Sequence, residues 1–165
     1  MKTVLLVRHA KSSWEKFSVT DAERPLNERG KRNAPEMAER LIQKNVRIDS
    51  FLSSPAKRAL GTARLFIEVY GRGPAEIIVA PELYLASMAA FTQTIINAPE
   101  NSSSIALFSH NTGITEFANS LSENKIVHIP TCGVFAVNCP IDYWRDFQTG
   151  INEFYFFDYP KSSFH

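Results

Sequence analysis

Long hydrophobic runs and net charge are both scarce in this sequence. No stretch approaches the roughly 20 apolar residues that a membrane-spanning helix needs, and the apolar run at residues 3–7 is too short for a signal peptide. The formal net charge is only +1, so the chain offers no broad basic field for nucleic acid or for an anionic membrane. We therefore expect a cytoplasmic protein that binds neither, and any anion site must be local.

Cysteine is also rare, with only Cys132 and Cys139 in the chain. Their spacing is not that of a CxxC pair, and the four histidines do not cluster around them. A structural zinc site needs four converging ligands, so the sequence predicts no metal site. Free thiols in a reducing cytosol are the simpler interpretation.

The pattern that is present is an alternation of strands and helices within 165 residues. This length suits a single domain spanning residues 1–165. Apolar runs predict six strands, at residues 3–7, 50–53, 77–79, 104–108, 132–137 and 153–157. Apolar stripes at helical spacing lie between them, around residues 34–42, 60–70 and 114–121. The alternation predicts a three-layer α/β/α sandwich with a mostly parallel central sheet.

Two helix starts are marked by local signals. Ser54 followed by Pro55 predicts an N-cap with proline at the first helical position. Pro35 is harder to place, because proline breaks a helix interior. Either Asn33 caps a helix that begins at Ala34, or the helix begins earlier and is kinked at Pro35.

The predicted strands end in residues that suit anion chemistry. The first strand ends in Arg8 and His9, the second is followed by Arg58 in the next helix, and the fourth ends before His110. Ligands bind beyond the carboxyl ends of such sheets, so all four side chains are expected at one edge. Each alone is a weak signal, and a histidine after a strand is more often structural. Four together at one edge are far less expected by chance.

These residue types fit phosphoryl transfer. Arginine forks match phosphoryl oxygens bidentately, so Arg8 and Arg58 are expected to clamp the group from two sides. A neutral imidazole can attack phosphorus and carry the group covalently. We expect His9 to do so through one ring nitrogen, while a carbonyl orients the other. His110 is expected to donate to a phosphoryl oxygen.

The same residues carry a family resemblance. Residues 5–10 (LLVRHA), 53–63 (SSPAKRALGTA) and 109–111 (SHN) resemble, in order and spacing, the motif blocks of the histidine phosphatase superfamily, the phosphoglycerate-mutase-like proteins. Residues 8–14 (RHAKSSW) and 21–30 (DAERPLNERG) are similar to its short SixA-type phosphohistidine phosphatases. Ala10 departs from the glycine that most of the superfamily has, although both residues occur in this branch.

The resemblance implies a phosphoglycerate-mutase-like fold and a phosphatase whose nucleophile is His9. It implies that Arg8, Arg58 and His110 form the phosphate pocket, and that neither metal nor other cofactor takes part. The partner would be a phosphorylated substrate, with a phosphohistidine-containing protein as one candidate.

Further site residues are assigned by position. Glu82 is the candidate proton donor, with a surface carboxylate as the equal alternative. Ser12, in the long loop from Ala10 to Leu26, could offer a hydroxyl to phosphate. Arg24 could reach the pocket rim, but an ion pair with Asp21 or Glu23 is favoured. Asn111, next to His110, is a candidate substrate ligand.

Two other functions stay open from the sequence. A phosphomutase or small-molecule phosphomonoesterase of the same superfamily would need an enclosed site. The intervals between Arg58, Glu82 and His110 each hold a helix already and leave no room for a cap domain, so an open site is expected. A non-catalytic phosphate-binding module would keep the arginines and lose a histidine, whereas both histidines are present.

Overall fold

The structure is a computed structural model that describes residues 1–14 and 20–160. Within these residues six strands alternate with four α-helices, and short 3-10 turns lie between them. The elements are β1 (Lys2–Arg8), α1 (Glu28–Gln43), β2 (Ser50–Ser53), α2 (Lys57–Val69), β3 (Ile78–Val79), α3 (Met88–Ile96), β4 (Ser104–Ser109), α4 (Gly113–Leu121), β5 (Val134–Cys139) and β6 (Glu153–Asp158).

All six strands form one sheet in the order β3-β2-β4-β1-β5-β6. The pairs β1–β4, β2–β4 and β2–β3 are parallel, whereas β5 runs antiparallel to both of its neighbours. The prediction of a mostly parallel sheet is therefore confirmed. The strands β1, β2 and β4, whose ends carry the candidate residues, run side by side in the same direction, so those ends meet at one edge.

The sheet is covered by helices on both faces, as the apolar runs predicted. Successive side chains of a strand point to opposite faces. Val4 and Leu6 of β1 accordingly join a core with α3 and α4, while Leu5 and Val7 join a second core with α1 and α2. The three layers follow from this double burial.

The helix starts differ from the prediction at one position. Helix α1 begins after Asn27, whose side chain accepts a hydrogen bond from the Gly30 amide, and Pro35 lies inside the helix. The alternative in which the helix begins before Ala34 is thus correct. Helix α2 begins at Lys57, with Ala56 as the N-cap residue. Ser54 as N-cap was wrong, because the helix begins three residues later; its hydroxyl accepts the Ala56 amide and bonds the ring of His110, which follows the neighbouring strand.

Two further differences concern β5 and α3. Strand β5 begins at Val134, since Cys132 has a φ of 62° and lies in the turn before it. Helix α3 occupies the interval before β4, where the sequence analysis expected a helix without locating it. Both cysteines are buried free thiols, as predicted. None of the helices in the described part of the chain has the length and apolar character needed to cross a bilayer.

Candidate active site

The four residues predicted to converge do lie together at the carboxyl edge of the sheet. Arg8 ends β1, His9 follows it, and His110 follows β4. The two imidazole ring centroids are 5.2 Å apart. The Nε of Arg58, from the first turn of α2, donates to His9 Nε2 at 3.3 Å. The parallel pairing of β1 and β4, with Arg8 opposite Ser109, brings the two histidines to the same level.

His9 is held as a neutral ring in one tautomer. Its Nδ1 lies 2.7 Å from the carbonyl oxygen of Ala10; a carbonyl only accepts, so Nδ1 carries the hydrogen. Burial is the main reason that the pKa of His9 falls to about 4, and the charges of Arg58 and Arg8 act in the same direction. Nε2 therefore carries no proton at neutral pH, and its lone pair accepts the hydrogen bond from Arg58. The prediction that a carbonyl orients this ring is confirmed.

His110 is neutral for the same reasons. Burial, followed by the charge of Arg58, lowers its pKa to about 3. Its Nε2 lies 2.8 Å from the Ser54 hydroxyl, which also accepts the amide of Ala56. When the Ser54 hydroxyl donates its hydrogen to Nε2, the hydrogen of the neutral ring lies on Nδ1. That Nδ1 is buried and has no hydrogen-bond partner among the described residues.

The arginines differ in how far their donors are used. Arg8 donates from one terminal nitrogen to the carbonyl of Ile129 at 3.0 Å, while its buried Nε has no partner in the described chain. Arg58 is 3% exposed; it bonds the backbone oxygen of Asp21 at 2.6 Å and its carboxylate at 2.9 Å. Both guanidinium groups line the same cavity as the two histidines, so a bound anion would meet the buried Arg58 and the half-buried Arg8.

Asp21 and Tyr84 are site residues that the sequence analysis missed. The Tyr84 hydroxyl donates to the Asp21 carboxylate at 2.6 Å. This bond, followed by the contacts with Arg58 and Arg24, lowers the pKa of Asp21 to about 2. The Tyr84 ring also meets the His110 ring edge-on, with centroids 5.4 Å apart. Asp21 was considered only as an ion-pair partner of Arg24, and nothing in the local pattern marks Tyr84.

Arg24 combines the two roles that were considered for it. Its guanidinium pairs with Asp21 at 3.2 Å, as favoured, and it also lies in the pocket lining. A terminal nitrogen donates to the Ser12 hydroxyl at 2.8 Å. The indole of Trp14 stacks on the guanidinium, 3.5 Å from ring centroid to carbon. Ser12 and Arg24 therefore form one wall of the pocket.

The stem of the long loop is fixed by backbone contacts. Ser12 and Leu26 form an antiparallel bridge, and the Asn27 amide donates to the carbonyl of Lys11 at 3.0 Å. That carbonyl also packs against Gly30, where a Cβ would lie only 2.2 Å away. A side chain at position 30 would displace the stem that carries Ser12. Residues 15–19 of the loop lie outside the described residues.

Together these groups line a cavity of about 360 Å³. Four cationic side chains face it, namely Arg8, Lys11, Arg24 and Arg58, and Asp21 is the carboxylate in its lining. The cavity is wide enough for a phosphoryl group and part of what it is attached to. No three histidine, cysteine or acidic side chains converge as metal ligands within residues 1–14 and 20–160.

Comparison with known proteins agrees with this geometry. The family model of the histidine phosphatase superfamily (branch 1) matches residues 4–84, which include Arg8, His9 and Arg58. An uncharacterized chloroplastic protein of Arabidopsis thaliana is 30% identical over 153 residues, covering 88% of this chain and 70% of that protein. The chain belongs to the histidine phosphatase superfamily.

Solved structures match the fold over nearly the whole chain. A protein from Agrobacterium tumefaciens, proposed to be the phosphohistidine phosphatase SixA, superposes with a TM-score of 0.77 at 23% identity and covers 96% of this chain and 98% of its own. The protein histidine phosphatase SixA complexed with tungstate gives 0.77 at 21% identity, with 96% and 97% covered. These matches show that the fold is the predicted phosphoglycerate-mutase-like one, while membership of the superfamily supports a phosphatase.

The structure places the last two candidates, Asn111 and Glu82, differently. Asn111 lines the cavity, but its amide donates to the Ile129 carbonyl and its oxygen accepts from Thr115. Glu82 is outside the cavity lining, and its carboxylate accepts a hydrogen bond from Thr94 on α3 at 3.2 Å. The structure therefore brings Asn111 to the site and directs Glu82 to a helix.

Proposed function

We propose that the protein is a phosphohistidine phosphatase that carries the phosphoryl group on His9. The observation that supports this most directly is the state of the His9 ring. Its Nδ1–H is held by the Ala10 carbonyl, and its unprotonated Nε2 accepts a hydrogen bond of 3.3 Å from Arg58 in a cavity lined by four cations. Nucleophilic catalysis needs an unprotonated nitrogen in a fixed position, and phosphoryl transfer needs positioning and charge stabilisation.

In the first step, Nε2 of His9 forms a bond to phosphorus while the bond from phosphorus to the leaving group breaks. Because Nδ1 keeps its hydrogen, the phosphorylated ring is a cationic imidazolium. The phosphoryl oxygens lie against the guanidinium groups of Arg8 and Arg58, and the Nδ1–H of His110 is a further donor for them.

In the second step, a water oxygen attacks phosphorus and the bond to Nε2 breaks. His9 departs as a neutral imidazole, since its Nδ1–H never leaves the Ala10 carbonyl. The proton of the attacking water passes to the departing orthophosphate or to solvent. The same residues that stabilise charge in the first step do so in the second, so one pocket serves both.

The absence of a ready acid in the lining favours a particular leaving group. Among the residues lining the cavity Asp21 is the carboxylate, and its pKa of about 2 keeps it ionised. An alkoxide leaving group needs a proton in the transition state. A protonated phosphohistidine releases a neutral imidazole and needs none. The site therefore suits phosphohistidine and aryl phosphates better than alkyl phosphates.

The open rim supports a macromolecular substrate. Trp14 and Leu85 line the cavity and are 71% and 60% exposed. The intervals between Arg58 and His110 are filled by α2, β3 and α3, so within residues 58–110 no cap domain covers the entrance. A phosphomutase must keep water from its phosphoenzyme, and no such enclosure is formed by the part of the chain that the structure describes.

The test is turnover and covalent labelling of His9→Ala, with His128→Ala as the control because His128 is exposed and outside the cavity lining. Wild type and the control should become phosphorylated in an acid-labile, alkali-stable manner, and His9→Ala should not. Phosphohistidine protein should be turned over faster than a panel of sugar phosphates. Labelling that persists in His9→Ala, or faster turnover of a sugar phosphate, contradicts the proposal.

A further inference from the structure

A second cavity, of about 650 Å³, lies beside the phosphate pocket between helices α1 and α2. Its floor is apolar, formed by the side chains of Leu26, Leu60 and Leu65 with Pro25 and Pro55 at its ends. We call this surface the α1–α2 groove. Leu60 and Leu65 are only half-buried, so the groove presents apolar surface to solvent rather than belonging to the sealed core.

The charged side chains that line the groove are all positive. Lys31, Lys57 and Arg64 line it, and no acidic side chain does. All three are exposed. Lys31 makes a solvated pair with Glu28 at 3.6 Å, whereas Lys57 and Arg64 have no ion pair among the described residues. A chain of net charge +1 thus keeps three cations around one apolar floor.

The groove is continuous with the phosphate pocket along the backbone. Pro25 directly follows Arg24 and Lys57 directly precedes Arg58, and both arginines line the pocket. The Pro25 carbonyl accepts the amide of Ser13 at 2.9 Å, so the wall between the two cavities is the loop stem itself. A chain that places a phosphorylated side chain in the pocket can lay its next residues in the groove.

We propose that the α1–α2 groove binds an acidic, partly apolar segment flanking the phosphorylated residue of a protein substrate. This rests on the proposed function, because the pocket must first accept a phosphorylated side chain. Apolar side chains of the segment fill the floor over Leu60, and carboxylates meet the cations of the rim. Complementary charge adds specificity and speeds encounter more than it adds affinity, so the groove selects among phosphorylated proteins.

The first experiment compares two phosphohistidine peptides that differ only in their flanks, one acidic and apolar, the other neutral and polar. The acidic peptide should have a kcat/KM about tenfold higher at low salt, and the advantage should shrink in high salt. Arg64→Glu and Leu60→Gln should each remove most of it through KM. Turnover of an aryl phosphate, which is too small to reach the groove, should be unchanged in both variants.

Arg145→Glu is the matched control. It makes the same change of charge at an exposed residue near Trp144, which bonds Ser102 at the opposite edge of the sheet, and it should preserve the preference for the acidic peptide. Equal kcat/KM for the two peptides, or an equal loss in Arg64→Glu and Arg145→Glu, would overturn the docking proposal.

A binding measurement separates this proposal from the proposed function. Fluorescence anisotropy with the unphosphorylated acidic peptide reports the groove without any turnover. Wild type should bind it about tenfold more tightly than Arg64→Glu does. Tight binding without phosphohistidine hydrolysis would contradict the function and keep the groove, whereas hydrolysis with no binding difference would do the reverse.

Discussion

The two edges of the sheet differ in how their buried polar groups are hydrogen-bonded. We call the edge at which β1, β2 and β4 begin the amino edge, and the edge at which they end the carboxyl edge. At the amino edge, the Lys2 ammonium donates to the carbonyls of Glu100 and Ser102, each at 3.0 Å. The Trp144 indole donates to Ser102 at 2.8 Å, and the Asp49 carboxylate accepts backbone amides just before β4. These bonds fix the ends of the strands, and among the described residues the Oδ1 of Asn152, just before β6, is the buried polar atom left unpaired at this edge.

At the carboxyl edge, satisfaction is incomplete. The Nε of Arg8 and the Nδ1 of His110 are buried without a hydrogen-bond partner in the described chain. Leaving such groups unpaired costs free energy, and because Arg8 and His110 line the same cavity, an anion bound there could accept from both. The amino edge even holds a larger groove, of about 670 Å³ around Tyr70 and Arg72, without histidines. The candidate active site is therefore marked by its unpaired polar groups and not by the volume of its cavity.

The largest effect is expected for Arg8→Met at the carboxyl edge, which should lower activity and leave stability nearly unchanged. Arg8→Met removes a buried donor from the pocket and should lower kcat/KM by about 10²–10³-fold, the usual cost of losing one such donor. Its free energy of unfolding should change little, because the Ile129 carbonyl keeps the Asn111 amide as a donor. Steady-state kinetics and denaturant unfolding measure the two quantities. An active Arg8→Met protein would remove the contrast.

Acid should destabilise the fold through the carboxyl edge. The folded-state pKa values of His9 and His110, about 4 and 3, lie below the ordinary 6.5. The unfolded chain therefore takes up protons first as pH falls below 6.5, and stability is lost as pH drops toward 4. Each ring should contribute about 1–3 kcal/mol between pH 7 and 4.5.

Denaturant unfolding at several pH values measures this loss, and His9→Asn should reduce it while His128→Ala should leave it intact. If the free energy of unfolding falls with pH as steeply in His9→Asn as in wild type, the buried His9 ring does not cause the loss of stability.

The amino edge should show the converse of Arg8→Met. Lys2→Met removes a donor from the carbonyls of Glu100 and Ser102, of which Ser102 keeps the Trp144 indole, and should lower the free energy of unfolding by about 0.5–1.5 kcal/mol. Turnover by the folded fraction should match wild type, because Lys2 lies at the far end of β1. A drop in kcat without a drop in stability would show that the two edges are coupled.

The smallest effect is expected for Glu82→Gln. Its carboxylate bonds Thr94 on α3 and does not line the pocket, so rates on aryl and alkyl phosphates should stay within about twofold of wild type. A selective loss on alkyl phosphates would identify Glu82 as the proton donor after all and extend the functional edge to the turn before α3.

The strands and the four converging residues could be predicted because their signals are local. Apolar runs mark β1 and β4, and parallel strands bring Arg8, His9 and His110 to one edge whatever the loops do. Asp21 and Tyr84 could not be predicted in the same way. Their mutual bond joins residues 63 positions apart through a loop with no periodicity, and it depends on how that loop folds back.

Ser54 shows a related limit. Serine before proline is typical of a helix start, yet here the hydroxyl bonds His110 and the helix begins later. The same oxygen also accepts the Ala56 amide, so Ser54 bonds the turn before the helix and the histidine together. The sequence motif was correctly placed beside the pocket while its structural role was not.

The ion pair between Asp21 and Arg58 has a consequence for product release. Orthophosphate, left after hydrolysis, would share the Arg58 guanidinium with a carboxylate that already bonds it at 2.9 Å. Repulsion between the two anions weakens retention of the product, and a substrate gains the advantage because its attached chain adds contacts outside the pocket. We therefore expect inorganic phosphate to inhibit the wild-type protein weakly and the Asp21→Asn protein more strongly.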